Sequence, residues 1–196
     1  MHQKPVYAFN NTNTALLAVD AQKAFGTVVP VPDAQSALSH MRTAIHFWKK
    51  TGGKVYLTKH IFSSHDSVGR IADFIPGIGS IMAEGSPHTD FHKGIEGDVI
   101  ILKNRFNALI GTDLEKRLKS ENIKTVVVCG LTTPICVQAT VDGLFMADFQ
   151  VAVLSDACAS QPLGDVSAQQ AHQYALERLR YVFAQILTTD EFILHS

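Results

Sequence analysis

The sequence is poor in the features that mark several protein classes. It holds three cysteines, Cys129, Cys136 and Cys158, an odd number without paired spacing, which does not read as a disulfide framework. Charge of either sign is scarce: 17 Lys and Arg against 18 Asp and Glu leave a net charge of −1. No run of Lys or Arg exceeds a pair, so the strong field expected of a protein that binds nucleic acid or an anionic membrane is missing. No apolar stretch is long enough to cross a bilayer. The residues from Met1 to Asn13 are polar and lack the apolar core of a signal segment. The expectation is a reduced, cytoplasmic protein with no nucleic-acid or membrane partner.

What is present is hydrocarbon in short blocks. The composition is 46% hydrophobic over 196 residues, enough for one domain spanning 1–196 with a full core. Five apolar runs end on polar residues: Ala15–Val19 before Asp20, Lys54–Leu57 before Thr58-Lys59-His60, Val99–Leu102 before Lys103, Thr125–Cys129 before Gly130, and Val151–Leu154 before Ser155-Asp156. A weaker sixth run is Phe183–Leu187. The runs are continuous, the pattern of strands buried on both faces in a parallel sheet. Helical spacing lies between them. It covers Asp33–Thr51 and a stretch opened by a capping box at Thr112–Glu115. It also covers a helix opened by Thr133-Pro134 that runs to about Ala147, and Ser167–Val182. Strands alternating with helices predict an α/β domain with a mostly parallel sheet. Only Phe62 to Gly97 breaks the rhythm, as a long connection rich in Gly, Pro, His and Ser, the kind that walls or covers a pocket.

In open α/β sheets, ligands bind beyond the carboxyl ends of the strands. The polar residues there are Asp20, Lys59, His60, Lys103, the loop from Gly130 to Cys136, and Asp156. Cys136 falls in the first turn of its helix, where unpaired N–H groups and the helix dipole favour a thiolate. The preceding loop brings amides close to the sulfur, suited to an oxyanion formed when the thiolate attacks a carbonyl. As a carboxylate ending an apolar strand, Asp20 needs a partner; beside a thiol it would serve as general base. Lys103 beside it would hold the charge and help lower the thiol pKa. Cys129, inside an apolar strand, and Cys158 read as structural.

Four stretches, in order, resemble the isochorismatase-like cysteine hydrolases: Asp20-Ala21-Gln22-Lys23-Ala24-Phe25, Lys103-Asn104-Arg105-Phe106-Asn107-Ala108, Gly130–Thr140, and Asp156-Ala157-Cys158-Ala159-Ser160. The resemblance runs from about residue 14 to 190. It implies a three-layer αβα fold with a six-stranded sheet and a catalytic triad of Asp20, Lys103 and Cys136. It implies a cis peptide at Leu131-Thr132 and an oxyanion hole from the backbone amides of Thr132 and Cys136. It also implies a homo-oligomer, a dimer or tetramer. Phe25, His60 and Asn107 are candidates to line a small-molecule pocket.

Nicotinamidase-like members carry a metal site after the second strand, but here the corresponding positions hold His60 and Phe62. His65, His88 and His92 show no metal-ligand spacing, so no metal and no cofactor are expected. The expected reaction is hydrolysis of an amide-type C–N bond through a thioester. Hydrolysis of a vinyl ether, as for isochorismate, and a non-catalytic binding module on the same fold remain the alternatives. The relatives that cleave isochorismate include some without the cysteine, and this chain has it.

Overall fold

A computed structural model describes residues 6–196. The expected domain of 1–196 and the segment read as lacking a signal core therefore extend, at residues 1–5, outside the described residues. Six strands form the frame: β1 (Thr14–Val19), β2 (Lys54–His60), β3 (Val99–Lys103), β4 (Thr125–Leu131), β5 (Gln150–Ala159) and β6 (Gln185–Leu187). The helices are α1 (Ala34–Lys50), α2 (Ile71–Phe74), α3 (Ile78–Ile81), α4 (Leu114–Ser120), α5 (Gln138–Met146), α6 (Ala168–Val182) and α7 (Thr189–Leu194).

The strands pair in the order β3-β2-β1-β4-β5-β6, and every pairing is parallel. The chain therefore builds outward from β1 in one direction, then returns to lay β4 on the other side of β1. Right-handed crossovers that run in opposite directions place α1 and α5 on opposite faces. On its face α1 packs against α7, and α5 packs against α6. Trp48 of α1 is buried against the Phe192 ring of α7, with centroids 5.3 Å apart. The point where the strand order reverses, between β1 and β4, opens a crevice beyond their carboxyl ends.

Burial follows position in the sheet. Every residue of β1 and β4 is buried. By contrast, β3 is an edge, and its Ile100 and Leu102 are 52% and 55% exposed. The continuous apolar run of β3 looks central in the sequence, but a strand paired on one side only keeps part of its surface uncovered. Other elements also depart from expectation. Thr112 does not form a capping box; its Oγ1 accepts from Leu114 N–H at 3.2 Å. Thr133-Pro134 opens a turn of π-helix, Thr133–Val137, that leads into α5. The predicted β5 extends through Ala159, so Asp156 lies inside the strand. There its carboxylate accepts from the Thr189 N–H and hydroxyl and fixes the start of α7. The long connection contains α2, α3 and a 3₁₀ turn, Pro87–Thr89.

Gly130 sets how closely β4 approaches β1. Its φ is +139, and the β4–β5 register shifts between Val128 and Gly130. A Cβ there would collide with the Val19 backbone carbonyl, one residue before Asp20. Only glycine accepts both that backbone and that approach. Gly130→Ala is expected to lower the melting temperature by about 10 °C, as a substitution costing roughly 3 kcal/mol does in a domain of this size; differential scanning calorimetry measures it.

Candidate active site

At the end of β1 the chain turns at Asp20 with φ +49, in the left-handed region that Asp tolerates better than most residues. The carboxylate is completely buried. Thr58 of β2 donates to its Oδ1 at 2.5 Å, and the same hydroxyl accepts from the Asp20 N–H at 3.0 Å. Lys103, at the end of β3, places its Nζ 2.7 Å from Asp20 Oδ2, with neither side chain exposed. The ammonium also donates to the carbonyls of Arg105 and Phe106 at 3.0 and 3.3 Å, and lies 3.7 Å from Cys136 Sγ. Three groups spread over 117 positions of chain thus meet at one rim of the sheet.

The pKa shifts run against part of the sequence reading. The thiol of Cys136 was expected to favour the thiolate. Instead burial pushes its pKa up, the Lys103 ammonium pulls it down by less, and the Asp20 carboxylate pushes it up again. Helix N–H groups lower a thiol pKa effectively only where desolvation does not dominate, and here Cys136 is buried. The resting sulfur holds its proton. For Lys103, burial alone would lower the pKa, but the Asp20 carboxylate and the Cys136 sulfur raise it above the ordinary lysine value. The ammonium is therefore a fixed cation.

His60 ends β2 beside this cluster. Its backbone is clamped by Gln22, whose side chain accepts from His60 N–H at 2.8 Å and donates to the carbonyls of His60 and Thr89 at 3.0 Å each. The ring packs on Phe62 and Phe106, and its Nε2 is buried without a hydrogen-bond partner. Burial, followed by the neighbouring Lys103 charge, lowers its pKa to about 4, so the imidazole is neutral.

A cavity of about 890 Å³ opens above, with Thr132, Cys136, His60 and Phe25 in its wall. The Leu131-Thr132 peptide is cis. The turn that carries Cys136 is pinned by Thr133: its hydroxyl donates to Ala159 carbonyl at 3.1 Å and lies 2.8 Å from His172 Nδ1. Asn107 does not line the cavity. Its Oδ1 accepts from Leu109 N–H at 2.9 Å, and the amide packs on Gly143, because an Asn two residues before a free N–H closes an Asx turn. Lys59 points to the opposite face of β2 from its neighbours, over the Phe91 ring.

Sequence reasoning missed Thr58, Gln22, Thr133 and Gln161. Thr58 stood in view: strand alternation puts it on the same side as His60. The contacts of Gln22 and Thr133 run across the chain and leave no local pattern.

Among the described residues, one grouping of three ligand-type side chains occurs: Asp20, His60 and Cys136, with ligand atoms within 4.8 Å of one another. It does not suit a metal ion. Lys103 already supplies the cation, 2.7 Å from Asp20 and 3.7 Å from Cys136, and would repel a second. His65, His88 and His92 do not join the grouping, and His92 Nε2 lies 3.0 Å from the Phe25 carbonyl.

Comparison with known proteins adds an independent line. Residues 14–191 match the family model of the isochorismatase domain. The chain is 32% identical over 185 residues to the isochorismatase family protein YrdC of Bacillus subtilis (strain 168), covering 91% of this chain and 94% of that one. It is 25% identical over 187 residues to Nicotinamidase 3 of Arabidopsis thaliana, covering 93% and 88%. The crystal structure of a cysteine hydrolase from Pseudomonas syringae pv. phaseolicola 1448A superposes with a TM-score of 0.89 at 25% identity, covering 99% of this chain and 98% of that one.

Two predictions follow from the buried charges. Lys103→Met leaves the Asp20 carboxylate uncompensated and should cost about 3–5 kcal/mol in urea denaturation, while adding Asp20→Asn should recover much of the loss. His60, with its folded pKa depressed from 6.5 to about 4, stabilises the fold fully above about pH 6.5 and loses that contribution as the pH falls toward 4. The stability advantage of the native chain over His60→Gln should therefore shrink by about 3 kcal/mol between pH 7 and pH 4.

Proposed function

The chain belongs to the isochorismatase family, and from that premise we propose that it is a cysteine-dependent hydrolase of an amide-type C–N bond in a small molecule. The observation that carries the reading is the single ammonium of Lys103 bridging a carboxylate and a thiol, 2.7 Å from Asp20 Oδ2 and 3.7 Å from Cys136 Sγ. A protonated sulfur beside an ionised acid is one proton transfer from a thiolate. That transfer moves negative charge from Asp20 to Cys136 while Lys103 remains its counter-ion. The site's net charge does not change, so no charge has to be newly buried at that step.

In the proposed cycle Asp20 takes the Cys136 proton as the substrate carbonyl comes within reach, and the thiolate attacks the carbonyl carbon. The backbone amides of Thr132 and Cys136 hold the oxyanion. As the C–N bond breaks, Asp20 returns the proton to the leaving nitrogen, and a thioester remains on Cys136. Water, deprotonated by Asp20, then attacks the thioester. The carboxylic acid leaves and the sulfur regains its proton. Phe25 packs against the substrate, and neutral His60 offers it a hydrogen bond. Among the relatives, Nicotinamidase 3 bears an amidase activity in its name.

Ammonia release from a panel of small amides tests this. The native chain should turn over at least one of them, and Cys136→Ala should fall by about 10³-fold or more while keeping its circular dichroism spectrum. Turnover retained by pure, folded Cys136→Ala protein would remove the nucleophile.

A further inference from the structure

The wall of the cavity says what kind of molecule reaches the sulfur. Its roof is the α2–α3 segment, and the side chains turned into it are hydrocarbon: Val68, Ile71, Phe74, Ile75, Ile78 and Met82. Ile78 and Met82 pack with Phe62 and Ala24 in a small core of their own, separate from the main one, whereas no residue of α2 is buried. Phe25, Val29, Phe106 and Ile135 complete the apolar lining. At about 890 Å³ the space sits toward the upper end of the roughly 300–1,000 Å³ of pockets that enclose drug-sized ligands. A site for a two- or three-carbon amide would leave most of this hydrocarbon facing water.

Polar groups also stand at the rim. The Arg105 guanidinium donates to the carbonyls of Asn104 and Ser67 at 2.7 and 3.3 Å. Asn104 donates to Asp66 at 2.7 Å, and Arg70 pairs with Asp73 at 3.2 Å. On the floor, Lys103 is matched by Asp20. Two buried polar atoms of the wall do lack a partner: His60 Nε2 and Gln161 Oε1. A buried polar atom without a hydrogen bond is costly, so each favours a ligand that brings one. An amide head supplies both an N–H for Gln161 and a polar contact for His60.

We propose that the substrate is an amide with a bulky hydrocarbon acyl group, aryl or branched alkyl, its amide head set among Cys136, His60 and Gln161 and its hydrocarbon under the α2–α3 roof. This rests on the hydrolase reading above and deepens it. The two can fail separately, because binding and cleavage are measured apart.

The experiment compares kcat/KM for acetamide, butyramide, hexanamide and 4-phenylbutyramide. Each methylene buried should raise kcat/KM by about three- to fourfold until the roof is filled. Ile71→Asn should reduce the preference for 4-phenylbutyramide over butyramide by about tenfold. Isothermal titration of the Cys136→Ser protein with 4-phenylbutyramide should show saturable binding, weakened by Gln161→Leu. Absence of that binding or a flat series overturns the inference even where amides are hydrolysed. Binding of 4-phenylbutyramide to Cys136→Ser with no cleavage of any amide by the native chain upholds this pocket and overturns the hydrolase reading instead.

Discussion

A lysine and an aspartate sealed from water, 2.7 Å apart, are the constraint on which the site depends. Neither charge is tolerable alone in that place. Together, with Thr58 donating to the carboxylate and two carbonyls accepting from the ammonium, they form a satisfied polar knot in a hydrocarbon surround. The thiol is the third member, its sulfur 3.7 Å from an ammonium that already faces Asp20 and the two carbonyls. The turn after β4, pinned by Thr133, brings Cys136 to the pair, and the ends of β1 and β3 bring the pair together.

The strand order arranges that. Because β4 returns beside β1, the end of β1 and the loop after β4 share one crevice, and the register of β2 with β3 sets His60 opposite Lys103. Lys103 then reaches back across the end of β2 to Asp20. Thr58, on that intervening strand, is the natural hydrogen-bond partner. Gln22 tightens the same region from the opposite side by holding both backbone groups of His60. Placement by backbone elements, rather than by a mobile loop, suits a site where a proton has to move over a short and fixed distance.

Much of this was legible in the sequence, for reasons that differ from residue to residue. The apolar runs of β1 and β4 are strong because both faces are covered; the first stops at Asp20 and the second at the loop that leads to Cys136. The family resemblance joined Asp20, Lys103 and Cys136, which periodicity alone left unconnected. What escaped has a common cause. The protonation of Cys136 depends on how completely the folded chain excludes water, a property no local pattern carries. Asn107 sits inside a matching stretch, yet the turn it closes points its side chain toward Gly143. The exposed side of β3 and the interior place of Asp156 in β5 depend on which strands lie beside them. Gln161 faces the cavity from beyond the end of β5, where nothing in the composition distinguishes it.

The ammonium is carried by the outermost strand on its side of the sheet. That strand is joined to β2 alone, and part of its apolar surface meets solvent. Native chains fray from such margins by sub-global fluctuations well before they lose their centre. A transient detachment of this margin withdraws the counter-ion and strands an acid in hydrocarbon, so the penalty of the unpaired acid is also a force that snaps the strand back. The charge pair thereby acts as a latch on the border of the sheet, and chemical competence and the integrity of that border rise and fall together.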